Sequence, residues 1–210
     1  EHGDPRGTFV RVQIALAKLP EYDRRRPDLA RQERDLLAVH GDRWAAPLRG
    51  LATGPVFRRG FVDEAKVTAR QFLTSPDAVF AAGPLRHLHL LDVGGHVGAV
   101  FASPWLARLT GLTVFAQHLG DPLARAVAES PHLGGLRVLH LGRNRIGDGG
   151  VERLAGSPTL AAVEDLDLSE NEVGEAGGYV LGGCPRLARL KRLELAGNAV
   201  GPLGAGAVAA

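Results

Sequence analysis

The feature that most constrains this chain is a phrase that returns every 27 residues. Leu136-x-x-Leu139-x-Leu141-x-x-Asn144-x-Ile146 recurs as Val163-x-x-Leu166-x-Leu168-x-x-Asn171-x-Val173, and again as Leu190-x-x-Leu193-x-Leu195-x-x-Asn198-x-Val200. One step earlier, Leu109-x-x-Leu112-x-Val114-x-x-Gln117-x-Leu119 keeps the spacing with Gln in the Asn position. A Ser-Pro or Cys-Pro pair at residues 103, 130, 157 and 184 repeats in the same frame, and so do the columns Gly147, Gly174, Gly201 and Gly150, Gly177, Gly204. Upstream the frame shortens to 24 residues at Leu85-x-x-Leu88-x-Leu90-x-x-Val93, and Val62-x-x-Ala65-x-Val67 is a more degenerate copy. A unit of this size cannot bury its apolar face alone, so units that repeat must stack into a solenoid.

Each unit reads as a strand followed by a helix. Leucines alternating with other residues make a short strand, leucine side inward. The Asn that follows turns the chain, its amide able to satisfy backbone groups of its own turn and of the neighbouring coil. A stretch such as residues 147–158 is then a helix of about two turns. It presents Val151 and Leu154 to the core, is closed by Gly156 and is stopped by Pro158. Val127, Leu154, Leu181 and Val208 are expected to form one column beneath the helices. The predicted fold class is α/β: a right-handed solenoid with a parallel concave sheet inside, helices on the convex side, and a small helical module at the N-terminus. The last unit stops at Ala210 before any Pro marker, so the repeats are expected to continue past it.

These motifs resemble leucine-rich repeats of the ribonuclease-inhibitor-like type, with residues 61–210 as the predicted repeat domain. Residues 1–60 do not follow the frame. There, Phe9, Val12, Leu16 and Leu19 share one helical face that ends at Pro20. A second helix carries Leu29, Leu36 and Leu37, with Asp28 as the expected N-cap and Gly41 as the expected stop. Residues 1–19, 29–51 and 57–73 together resemble the repeat-companion domain that precedes leucine-rich repeats in some bacterial proteins. That resemblance implies a module incomplete at its N-terminus, and establishes no enzymatic activity.

Composition narrows the function. Hydrophobic residues make up 45% and charged residues 23%, values of a water-soluble globular chain rather than a disordered one. No apolar run is long enough to span a bilayer, and no membrane partner is expected. Net charge is only +2 and evenly spread; the one basic run, Arg24-Arg25-Arg26, is a solvated loop, so nucleic acid is not an expected partner. The single cysteine, Cys184, rules out an internal disulfide and fits a reducing, cytoplasmic setting. It fills the slot that Ser103, Ser130 and Ser157 hold in the other units, which makes it a structural substitution.

The outward strand positions are the candidate site. One column reads His87, Gly111, Val138, Asp165 and Arg192; the next His89, Thr113, His140, Asp167 and Glu194; the third Leu91, Phe115, Gly142, Ser169 and Ala196. From these, His89, Leu91, Phe115, His140, Asp165, Asp167, Arg192 and Glu194 are the predicted protein-binding residues, with Leu91 and Phe115 as apolar anchors and the charged groups setting specificity. Gln117, Asn144, Asn171 and Asn198 are predicted to form a structural turn ladder. His140, Asp167 and Glu194 have donor chemistry for a divalent cation, but a cross-strand hydrogen-bond ladder is the expectation, and neither metal nor cofactor is predicted. No phosphate-cradling loop or nucleophile elbow occurs, so the chain is read as non-enzymatic. The expected function is binding of a protein partner by a monomeric module. The alternatives are a regulatory domain like the Ran GTPase activators, acting through Arg143 or Arg145, and a spacer within a larger protein.

Overall fold

The computed structural model describes residues 4–209. Seven strands form one sheet in chain order: β1 (Thr53–Arg58), β2 (Phe61–Thr68), β3 (His87–Leu91), β4 (Gly111–Thr113), β5 (Val138–His140), β6 (Asp165–Asp167) and β7 (Arg192–Glu194). Strands β2 to β7 are parallel, and only β1 runs antiparallel to its neighbour. The inward residues stand in one row, Ala65, Leu88, Leu112, Leu139, Leu166 and Leu193, each paired with the next. All but Leu193 are fully buried. Leu193 is half-buried because β7 is the last strand and has no neighbour on its far side. The three-residue strands β4, β5 and β6 suffice because each is held on both sides by its neighbours rather than by its own length.

Helices return the chain on the other side of the core. α3 (Ala69–Thr74), α4 (Pro76–Ala81) and α5 (Val97–Phe101) are short and belong to the irregular early coils. α6 (Asp121–Glu129), α7 (Asp148–Gly156), α8 (Glu175–Gly182) and α9 (Gly201–Ala209) are the regular ones. Val127, Leu154 and Leu181 line up beneath them and are buried, with Val208 packed against the same core. α7 ends at Gly156, and a 3₁₀ turn starts at Pro158. The fold is a leucine-rich-repeat solenoid of strands on one side and helices on the other.

Two ladders of side chains tie coil to coil. The Asn ladder lies inside: Asn171 Oδ1 accepts from the N–H of Asn144 (2.9 Å) and of Ile146 (3.0 Å), while its Nδ2 donates to the carbonyls of Leu141 and Leu168. Asn144 and Asn198 repeat the arrangement, and Gln117 does so by accepting from Val93 N–H and donating to Leu90 O. A second ladder, absent from the sequence reading, runs along the helix starts. Asp121 accepts from Gly147 N–H at 2.8 Å, Asp148 from Gly174 and Gly177 N–H, and Glu175 from Leu203 N–H. This explains the Gly150 column by close approach: a Cβ there would lie 2.5 Å from Asp121 Oδ1 and 2.7 Å from Ile146 Cγ2.

The N-terminal segment begins with α1 (Pro5–Lys18), capped by the Asp4 carboxylate, and α2 (Arg26–Trp44). Two sequence expectations fail here. Asp28 is not the cap of α2: the helix starts at Arg26 and carries Pro27 in its first turn, where a missing N–H costs nothing, and this leaves Asp28 inside the helix. Gly41 does not stop it either, because the extra turn delivers the Trp44 ring to Phe9 (4.9 Å) and Phe57 (6.2 Å). The strand β1 was also not anticipated. Gly54 and Pro55 mask it, and both are tolerated because β1 is an irregular edge strand joined to β2 through a tight turn at Arg59 and Gly60, both at positive φ. α1 grips that turn: Gln13 donates to Phe57 O and accepts from Gly60 N–H, and Arg6 donates to Gly60 O. The helices thereby cover the first coil of the solenoid, with Phe9 and Leu48 joining its core.

Candidate functional site: the open face of the sheet

Strand register sets the face. Pairing places Glu64, His87, Gly111, Val138, Asp165 and Arg192 in one outward row, and Lys66, His89, Thr113, His140, Asp167 and Glu194 in the next. All eight predicted binding residues lie on this side of the sheet. Leu91 (37% exposed) and Phe115 (41% exposed) are exposed large apolar groups on it. Arg192 is exposed, while His89, His140, Asp165, Asp167 and Glu194 are half-buried.

The upstream part is a histidine cluster. His89 Nε2 lies 2.7 Å from Glu64 Oε1, His87 Nε2 lies 2.8 Å from Thr113 Oγ1, and the two rings stack at 5.0 Å. His140 meets His87 edge-on at 6.2 Å. His87 reclines over Gly111, whose missing side chain leaves the room its imidazole occupies. Burial pushes the His87 pKa down to about 4, with the Glu64 charge pulling the other way, so this ring stays neutral near pH 7. Glu64, His87 and Thr113 belong to this cluster and are not among the eight predicted residues. Glu64 lies on β2, the degenerate first coil, which the three outward columns did not include.

The middle of the face is built around Phe115. Its ring lies against Gly142, where a Cβ would fall 2.7 Å from Cε2. The guanidinium of Arg143 stands 5.6 Å from the ring centroid and is held by Glu170 Oε1 at 2.6 Å. Arg143 and Arg145 both sit at positive φ in the turn after β5. Glu170 thus engages Arg143, while Arg145 is exposed.

The downstream part is acidic. Asp167 accepts from its own Ser169 N–H at 2.8 Å, and Glu194 from Ala196 N–H at 3.1 Å. Asp165 Oδ1 is buried and makes no hydrogen bond among the described residues; His140 Nε2 lies 3.6 Å away. The ladder expected for His140, Asp167 and Glu194 is therefore not formed, since each carboxylate turns to its own backbone and His140 leans toward Asp165. No group of three or more His, Cys, Asp or Glu side chains is placed so as to hold a metal ion among the described residues. Cys184 Sγ donates to Ala155 O at 3.4 Å, as Ser130 does to Phe101 O and Ser157 to Ala128 O, so its slot is explained by structure. No helix among the described residues is long and apolar enough to cross a membrane.

A family model described as "Leucine Rich repeat" matches residues 136–155 and 189–209, which take in β5 with α7 and β7 with α9. The chain carries leucine-rich repeats. No curated protein matches it. Among solved structures, the chain is similar to an internalin (inlF) from Listeria monocytogenes at 18% identity and a TM-score of 0.31, over 59% of this chain and 45% of that one. The chain thus spans less than half of that structure.

Proposed function

We propose that this chain is a non-enzymatic protein–protein interaction module that holds its partner on the open, concave face of the repeats. The observation that carries the reading is Phe115: a large apolar side chain, 41% exposed, seated against Gly142 and flanked by charged groups at fixed positions. An exposed aromatic ringed by polar groups on a rigid sheet has the make-up of an interface anchor. His89, Leu91, His140, Asp165, Asp167, Arg192 and Glu194 are assigned to the same surface. The partner is a protein; the module is read as a cytoplasmic monomer.

The ribonuclease-inhibitor-like type is supported by the 27-residue step and by the full helix in each late coil, α6 to α9. Residues 1–60 are assigned to the companion module, supported by the way α1 and α2 cover the start of the repeats.

The test is capture from native lysate with the unaltered chain, Asp165→Arg/Asp167→Arg, and the convex-side control Arg153→Asp, each checked for folding by circular dichroism. A protein held by the first and third and lost by the second bears the reading out. Equal capture by all three contradicts it.

A further inference from the structure

The chemistry of the face changes along its length, and the change specifies what it receives. We infer that the occupant is a protein segment carrying an arginine or lysine two to four residues from an apolar side chain, the apolar group resting on Phe115 and the cation on Asp165, Asp167 and Glu194. The inference rests on the concave-face reading above and goes further by naming the chemistry of the partner.

Phe115 offers an exposed ring with Leu91 in the same outward column, an apolar strip beside the acidic side chains. Across β5, β6 and β7 the outward residues are Val138, His140, Asp165, Asp167, Arg192 and Glu194, with Arg192 the one Lys or Arg among them. Asp167 and Glu194 each use one oxygen on a backbone N–H and keep the other for an incoming donor. The Asp165 side chain is partly exposed, makes no hydrogen bond through Oδ1 among the described residues, and has only His140 Nε2 at 3.6 Å beside it, so it adds a further negative charge to this row. A guanidinium matches this set best, since it presents several N–H groups in one plane and bridges carboxylates.

The spacing follows from the sheet. Neighbouring strands lie about 4.8 Å apart, and residues two apart on one face are separated by roughly 6.6 Å. The Phe115 ring leans over β5, so it lies within about 10 Å of Asp167 on β6. Two residues of an extended chain, or one helical turn, cover that gap with side chains on one side. A phosphate backbone would meet these carboxylates as like charges, which disfavours nucleic acid.

A phage-displayed random dodecapeptide library panned on the whole chain tests the inference. The expected result is peptides enriched at least threefold in Arg or Lys two to four residues from Leu, Ile, Phe or Met. Their binding should weaken tenfold or more in D165N/D167N/E194Q, in F115A and in 0.5 M salt. The composition selected on the unaltered chain is decisive even if a variant fails to fold. Neutral or acidic peptides that lose binding in F115A alone would overturn the charge assignment and leave the concave-face reading standing. Peptides indifferent to every one of these variants, or no enriched peptide at all, would overturn both.

Discussion

Replacing Asn171 by Ala should be among the most damaging single changes in this protein. The side chain is 7% exposed, and its Oδ1 serves two amides of the preceding coil, Asn144 N–H and Ile146 N–H. Alanine leaves both without their side-chain acceptor in a buried site. The carbonyls suffer less, because Leu141 O keeps a bond from Asn144 Nδ2 and Leu168 O one from Asn198 Nδ2. At about 1–3 kcal/mol for each buried group left unsatisfied, the two amides alone cost about 2–6 kcal/mol. That is a large part of the roughly 5–15 kcal/mol that holds a domain together. Urea unfolding followed by circular dichroism measures the loss, and hydrogen exchange at Asn144 and Ile146 locates it. Asn171→Gln should lose less than half as much, because Gln117 already makes the equivalent bonds one coil away from β5. A loss below about 1 kcal/mol for alanine, or an equal loss for both variants, would refute the ladder as a main tie between coils.

Three further outcomes follow from the geometry. Gly150→Ala should destabilise by about 1–3 kcal/mol, because its methyl would press on Asp121 Oδ1 and Ile146, and a melting curve unchanged from the parent would contradict this. His87, whose pKa is lowered to about 4 by burial, refuses a proton that the unfolded chain accepts below about pH 6.5, so stability should fall as pH drops across that window. The share lost is on the order of 2 kcal/mol after allowance for solvent reach, and it should be missing from His87→Gln when urea midpoints at pH 7.5 and 4.5 are compared. Cys184→Ser should be within about 0.5–1 kcal/mol of the parent, since serine at residues 130 and 157 makes the same bond to the preceding coil.

The regular coils were legible because one spacing governs everything in them. Once Leu139, Leu166 and Leu193 share a register, the outward rows follow, and with them the exposed positions of Phe115 and Leu91. The Asn ladder was legible for the same reason. The acidic ladder of Asp121, Asp148 and Glu175 is equally periodic, but a carboxylate in the first turn of a helix reads equally well as a partner of its own helix dipole, and spacing does not show that it reaches the amides of the next coil. What the sequence did not disclose is what local period cannot carry. Trp44 extends α2 past Gly41 because of rings on α1 and β1, and β1 exists because an edge strand tolerates Gly54 and Pro55. The face itself was read as rows, whereas its contacts are diagonal: Glu64 reaches His89, His87 reaches Thr113, and Asp165 approaches His140. Diagonal pairing depends on rotamers that no spacing reveals.

The central claim is that a protein partner sits on the sheet and not on the helices. A photo-reactive benzoylphenylalanine placed at Phe115, and separately at Tyr179, tests it most directly, since both positions are exposed aromatics on opposite sides of the coil. After irradiation with the captured partner, the account expects a covalent adduct from position 115 and none from position 179. An adduct from position 179 with none from 115 would contradict it.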